Sequence, residues 1–326
     1  MWSSTVRAFY RIRWQAGIES CRFSAQPKID KISTPTTQTN CRLERSIVVR
    51  TIPTTQAPPS LVPRGDDNSG SLTERLRPYT LAEFVGQEHL LGEGKPLRVL
   101  IEGGLLPSMI LYGPPGIGKT TLVRLMAEET SADLVELNGL SSPSKDVHEI
   151  LNRAETNRKQ SGKQTILFID EIDHSNMMQE GALLRSAQAG EIILVGATPR
   201  HPSFTIGLPL LSSMRIFFLH PLAIEHLSTI LDRAMNSDPQ LENMEIDLAS
   251  RNYLVHLACG DARIMLWTLE NLIKSSKPDA DKRILVGRKE IEEAFQRAIE
   301  GIKQMWGRLE NIGISGSEES KAESEA

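Results

Sequence analysis

The chain has 326 residues, 40% of them hydrophobic, and a formal net charge of −4, so it holds enough apolar material for more than one packed core and its length suggests two domains. No apolar run approaches the roughly 18 residues of a membrane helix, because the longest candidate, Ile206 to Ile224, is broken by Pro209, Arg215, His220 and Pro221. The lack of such a run points to no membrane partner, and the three cysteines, Cys21, Cys41 and Cys259, with neither the density of a secreted disulfide scaffold nor the C-x-x-C spacing of a zinc site, point to a reducing compartment and no structural metal.

Charge is unevenly placed. Residues 1–65 carry ten Lys/Arg against Glu19, Asp30 and Glu44, a surplus of 7 that leaves −11 on the remainder. Residues 1–70 are rich in Ser, Thr, Pro and Arg without sustained periodicity and read as a disordered or targeting segment. Its acid-free opening, "MWSSTVRAFYRIRWQAG", fits a mitochondrial presequence or a plain basic tail. The other end, residues 311–326, reads as a disordered acidic tail.

Between these ends, short apolar runs alternate with helical patterns, and the expected fold is α/β: a parallel sheet with flanking helices over 71–221, then a small all-helical lid domain over 222–310. "SMILYG" (Ser108 to Gly113) has the apolar continuity of a buried strand, and "LVRLMAEET" has the spacing of a helix packed on it. "GPPGIGKTT" lies between them. Strand, loop and helix in that order make a phosphate loop, far more specific than a Gly-rich turn that caps a helix. Gly113, Gly116 and Gly118 let the backbone turn its N–H groups toward phosphates, with Pro114, Pro115 and Ile117 completing the cradle. Lys119 reaches the β/γ oxygens, Thr120 ligates Mg²⁺, and Thr121 closes the loop. The implied ligands are ATP and Mg²⁺.

"TILFIDEID" (Thr165 to Asp173) is an apolar strand ending in acids. Asp170 is expected to hold Mg²⁺ through water, and Glu171 to orient and deprotonate the attacking water. Alone, the pair would fit the acidic first turn of a helix as well; the phosphate loop favours catalysis. Asp173 reads as a solvated neighbour. "EIILVGAT" ends in Thr198, whose hydroxyl either reaches the γ-phosphate or the lytic water, or simply closes a strand. "RIFFL", from Arg215, is the next strand, followed by the helical patterns "LAIEHLSTILDRAM", "IDLASRNYLVHLAC" and "GDARIMLWTLENLIK". The last opens with Gly260 and an Asp261 cap, which puts Arg263 in the first turn, able to reach back over a nucleotide or to remain a surface arginine.

The stretch "ERLRPYTLAEFVGQEHLLGEGKPLRVLIEGGLLPSMILYGPPGIGKTTLVRLMAEET", with "SKDVHEIL", "TILFIDEI", "LVGAT" and "PSF" after it, resembles the Werner-helicase-interacting protein / RarA (MgsA) family of clamp-loader-like AAA+ ATPases over roughly Leu72 to Lys274. The resemblance implies an oligomeric ATPase acting on DNA forks, ends or gaps at stalled replication forks, with replication or helicase proteins as partners and a nuclear location, the mitochondrion being the alternative. It assigns Lys119 and Thr120 to Walker A, Asp170 and Glu171 to Walker B and Arg263 to the lid sensor, and sets Val85, Gly86 and the Arg77–Pro78 stretch beside the adenine. Lys145, Arg153, Arg158, Lys159 and Lys163 would face the channel of such a ring, although a solvated charged face fits them equally.

Departures from the family are specific. "IDHSNMM" stands where the family has Ile-His-Arg-Phe-Asn-Lys, and "TPRH" stands for Thr-Thr-Glu-Asn. "LSSMR" stands for Leu-Ser-Arg-Cys-Arg, so Ser213 replaces the arginine that would reach a neighbour's ATP, while Arg215 remains as a catalytic candidate. The family's C-terminal part and its zinc finger are not recognisable, as in a divergent or C-terminally shortened member. Three readings compete: a hydrolysing ATPase of fork maintenance, an ATP-binding pseudo-enzyme or adaptor with weak hydrolysis, and the product of a decayed gene.

Overall fold

A computed structural model describes residues 70–139, 144–175, 177–242, 244–275 and 284–301; the basic opening and the acidic tail lie outside the described residues. Five runs form one parallel sheet: β1 (Met109–Tyr112), β2 (Asp133–Asn138), β3 (Thr165–Asp170), β4 (Ile192–Thr198) and β5 (Arg215–Phe218), in the order β2-β3-β4-β1-β5. The central strands are unbroken apolar runs because helices cover both faces of the sheet, and Ile110, Leu167, Phe168, Leu194 and Val195 are buried. Only β2 was not anticipated. It is an edge strand, half-buried, and "DLVELN" carries an acid or amide at every second or third position, so no apolar run marks it.

Before β1 come α1 (Leu72–Arg75), α2 (Glu88–Leu91) and α3 (Pro96–Glu102); after it come α4 (Lys119–Glu129), α5 (Ser144–Ser161), α6 (Met177–Gln188), α7 (Pro202–Thr205) and α8 (Leu208–Ser212). Leu97 and Ile101 of α3, with Leu122, Leu125 and Met126 of α4, cover one face of the sheet against Met109, Leu111 and Phe168. Val147 and Leu151 of α5, Leu183 of α6 and Leu210 of α8 cover the other against Ile110, Leu167 and Leu194. At about 1.5–3 kcal/mol for each fully buried large aliphatic side chain, these two layers supply most of the force holding the sheet.

A second core lies in α9 (Ile224–Ser237), α10 (Leu248–Ala258), α11 (Ala262–Ser275) and α12 (residues 288–301), where Leu231, Leu254, Met265, Leu269 and Phe295 meet. This small domain is not all helical, which corrects the expectation. β6 (Met244–Ile246) and β7 (Ile284–Val286) pair in parallel, with Met244 and Ile246 buried and Glu245 exposed. A three-residue strand offers a single alternation, too little to register as a period of two.

The segment before β1 ties the two cores together. Leu72 is buried in the core of the small domain, and Arg75 Nε pairs with Asp238 at 2.7 Å. Arg77 Nη1 donates to Thr121 Oγ1 at 2.8 Å, Arg124 of α4 pairs with Glu74 at 2.7 Å, and Arg233 Nη2 donates to the Glu83 carbonyl at 2.6 Å. Among the described residues no helix is long and apolar enough to cross a membrane.

Candidate nucleotide site

The site forms at the C-terminal ends of the strands, where parallel α/β sheets open a crevice. Tyr112 closes β1 beside Thr198 of β4, and the Gly113 N–H donates to the Thr198 carbonyl at 3.2 Å. Gly116 has φ +72° and an added Cβ there would stand 1.7 Å from Asp261 Oδ1. Both the left-handed backbone and the close approach therefore require glycine. Asp261, which caps α11 by accepting from Arg263 N–H and Ile264 N–H at 3.0 and 3.2 Å, thus packs on the phosphate loop, and Ala262 N–H donates to the Gly116 carbonyl at 3.1 Å. Gly118, also left-handed, leads into α4 under the ring of Phe84. The first N–H groups of α4 have no helical partners and form the positive end of its dipole, a place for an anion.

Lys119 lies in the mouth of that helix. Its Nζ donates to the carbonyls of Gly113 and Pro114, each at 2.8 Å. Burial pushes its pKa down to about 8, with Asp170 opposing the shift and Arg263 adding to it. Thr120 Oγ1 reaches Asp170 Oδ2 at 3.5 Å, and Thr121 accepts from Arg77. Pro114 and Pro115 are half-buried at the rim. Ile117, 1% exposed, packs into the core beneath the loop. A threonine hydroxyl beside one carboxylate is a hard-oxygen pair, and among the described residues no group of three His, Cys, Asp or Glu makes a metal cage. That donor set fits Mg²⁺, which keeps waters and takes phosphate oxygens to complete its octahedron.

Glu171 follows Asp170 with φ +55°, and its N–H donates to Asp170 Oδ1 at 3.1 Å. The carboxyl is half-buried and its Oε2 has no hydrogen-bond partner in the protein. Burial raises its pKa, the charge of Asp170 raises it further, and His174 and Arg200 oppose the rise. Such a group is suited to take a proton.

Asp173 is not the solvated neighbour expected. The left-handed Glu171 and the 3₁₀ turn Ile172–His174 bring its side chain inward to 1% exposure, with Oδ1 unpartnered and Oδ2 3.6 Å from Arg200 Nε and 3.7 Å from His174 Nε2. Thr198 is fully buried, and its hydroxyl donates to the Arg200 carbonyl at 3.2 Å and accepts from Arg200 N–H at 3.0 Å. Arg263 is exposed, close enough for its charge to act on Lys119. Val85 is half-buried, and Gly86, at φ +86°, lies against Leu222 and His226 at the junction with the small domain.

Arg215 is not brought to this site. It is exposed at the start of β5 opposite Met109, at the end of the sheet away from the loop. Ser213 caps α8 and its Oγ donates to the Leu210 carbonyl at 2.7 Å. Of the basic residues on or after α5, Lys159 pairs with Glu155 and Lys163 with Asp133, while Arg153 and Arg158 are exposed. The side chain of Lys145 lies outside the described residues. Arg200 and the burial of Asp173 escaped sequence reasoning; the one available signal was the charged pair Arg200–His201 in a strand-end position the family fills with Glu-Asn.

A parallel sheet carrying a G-x-x-x-x-G-K-T loop, an adjacent Asp-Glu strand end and a helical small domain docked on the loop defines a P-loop nucleotide-binding domain of the AAA+ class. The family model "ATPase family associated with various cellular activities (AAA)" matches residues 109–221. Replication-associated recombination protein A of Escherichia coli is 38% identical over 224 residues, 68% of this chain and 50% of that protein. ATPase WRNIP1 of Dictyostelium discoideum is 37% identical over 240 residues, 73% of this chain and 27% of that protein. Among solved structures, the RuvB Holliday junction branch migration motor of Thermotoga maritima superposes with a TM-score of 0.55 at 27% identity, covering 68% of this chain and 72% of that one. Within that class the chain is similar to the RarA/WRNIP1 proteins over the matched region. It spans about half the length of the bacterial relatives it matches.

Proposed function

We propose that the chain binds ATP with Mg²⁺, hydrolyses it, and couples the cycle to DNA at forks, ends or gaps where replication has stalled, as a subunit of an AAA+ oligomer working with replication or helicase proteins. The observation that carries hydrolysis is the half-buried Glu171 carboxyl with Oε2 unpartnered, next to the Thr120–Asp170 pair and Lys119. Mg²⁺ held by Thr120 and Asp170 would draw charge from the phosphates. Lys119 exchanges its two loop carbonyls for phosphate oxygens, the α4 N–H groups orient the chain of phosphates, and Glu171 takes the proton of the attacking water.

DNA is supported by the relatives, a replication-associated recombination protein among them. A nuclear location accompanies that role, and the basic opening keeps the mitochondrion as its alternative. The test is ATP turnover with and without forked DNA at two salt concentrations. Stimulation should appear at low salt and fade between about 50 and 200 mM, as phosphate contacts lose their counterion-release advantage. Turnover indifferent to DNA at every salt would remove DNA from the function.

A second reading, an ATP-binding adaptor that hydrolyses weakly, is favoured by Ser213, which has no charge and turns its hydroxyl back to the Leu210 carbonyl. An arginine supplied from a neighbouring subunit is worth about 10³–10⁵ in rate. Ser213→Arg is therefore expected to raise turnover by at least about tenfold with little change in ATP affinity. A flat rate in that variant, together with loss of turnover in Arg215→Ala, would assign the finger to Arg215.

A further inference from the structure

Arg200 is a cation at the catalytic end of the sheet that the preceding mechanism leaves without a task. It stands two residues beyond the end of β4, where Thr198 lies beside Tyr112 and the first residue of the phosphate loop. Its backbone is fixed, since its N–H donates to Thr198 Oγ1 at 3.0 Å and its carbonyl accepts from the same hydroxyl at 3.2 Å. Its side chain is the opposite. The guanidinium arm is 56% exposed, and its ionic contact is a long one, Nε to Asp173 Oδ2 at 3.6 Å.

Asp173 explains the direction in which the arm turns. A carboxylate buried to 1% exposure with one oxygen unpartnered is costly unless a cation stays beside it. It therefore holds Arg200 against the wall of the site without saturating its donors. From there the positive charge acts on Glu171, which it helps to keep ionised. Lys119 is committed to the loop by its two carbonyl contacts and Arg263 stands on α11, whereas Arg200 is a cation on the β4 side of the site with donors to spare.

We propose that Arg200 is a catalytic arginine acting in cis, which moves from Asp173 to the γ-phosphoryl group of ATP and stabilises the charge that develops there. This rests on the reading that the chain hydrolyses ATP. In the step, the water oxygen bonds to the γ-phosphorus and a water proton passes to Glu171. The bond from that phosphorus to the bridging oxygen breaks, and its electron pair leaves with ADP. Arg200 stays protonated throughout and supplies charge and a planar fork of donors, a geometry lysine lacks. A chain with Ser213 in the finger position would in this way carry an arginine of its own.

The experiment uses the whole chain and reads single-turnover ATP hydrolysis, affinity for a non-hydrolysable ATP analogue, and thermal melting. Arg200→Ala should lower the hydrolytic rate by at least about 100-fold while analogue affinity stays within about threefold, and Arg200→Lys should recover part of the loss. Arg200→Gln removes the charge but keeps a polar amide donor, so it carries the test if Arg200→Ala melts early; it should be as slow. Mixing Arg200→Ala with Glu171→Gln chains separates cis from trans action. Action in cis leaves the mixture as slow as Arg200→Ala alone, whereas recovery in the mixture places Arg200 across a subunit boundary and overturns the proposal. A parent that turns over and an equally fast Arg200→Gln overturn it and leave hydrolysis standing; a parent with no turnover overturns both.

Discussion

Glu171→Gln should bind ATP as tightly as the parent and hydrolyse it about 10²- to 10⁴-fold more slowly, the usual range for removing a general base. The substitution keeps shape and polarity but deletes the group that accepts the proton. Glu171 is fitted to that task by position: the turn after β3 holds it half-buried next to Asp170, with Oε2 facing no protein donor. Burial, then the negative charge of Asp170, lifts its pKa above the ordinary glutamate value. The base is active only when ionised, so the parent's rate should climb with pH through that raised value, and the residual rate of the variant should not follow the same limb. Calorimetric titration of an ATP analogue and a turnover assay over pH check both halves. An equally fast variant would take Glu171 out of the mechanism.

What the sequence made legible is what a few adjacent residues encode. A strand, six loop positions and a helix start are contiguous between Ser108 and Thr121, and their chemistry needs no distant partner to be recognised. The same holds for Asp170 and Glu171 at the end of an apolar strand, and for the Asp261 cap of α11. Illegible were the features created by distant packing. Leu72 lies some 150 residues before the small domain whose core it joins, and nothing local distinguishes it from a linker leucine. β2 is an edge strand whose acids serve partners elsewhere: Glu136 accepts from Nε and Nη2 of Arg124 on α4 at 2.6 and 2.9 Å. Asp173 reads as solvent-facing because acids usually are, and only the left-handed turn at Glu171 puts it inside.

The contact between Gly116 and Asp261 is a second product of distant packing, and it bears on how nucleotide would be felt by the rest of the chain. A buried carboxylate, 3% exposed, touches the loop that is to receive phosphates. Phosphate charge arriving at that loop therefore repels the cap of α11 while attracting Arg263, two residues on in its first turn. The Arg75–Asp238 and Arg233–Glu83 ties connect the small domain back to the segment leading into β1.

Lys119→Ala should weaken ATP binding by about 1.5–3 kcal/mol, the worth of a hydrogen bond to a charged group, which is about 10- to 150-fold in affinity. The ammonium is held at the helix mouth by two backbone carbonyls, so binding replaces neutral acceptors by anionic ones and gains the difference. The pH dependence has a definite sign. Burial lowers the pKa of Lys119 from 10.5 to about 8, so folding carries its full penalty below pH 8, where the lysine is charged in both states. That penalty fades as pH rises from about 8 toward 10.5, because the folded chain sheds the proton that the unfolded chain retains. Phosphate reverses the preference: ATP favours the charged lysine, so above about pH 8 binding takes up a proton and affinity falls by up to about tenfold per pH unit. Titrations at pH 7 and pH 9 in buffers of different ionisation enthalpy measure both the affinity and the proton uptake. Lys119→Ala should lose the pH dependence together with the affinity; a variant that binds like the parent at both values would mean that the loop holds phosphate without its lysine.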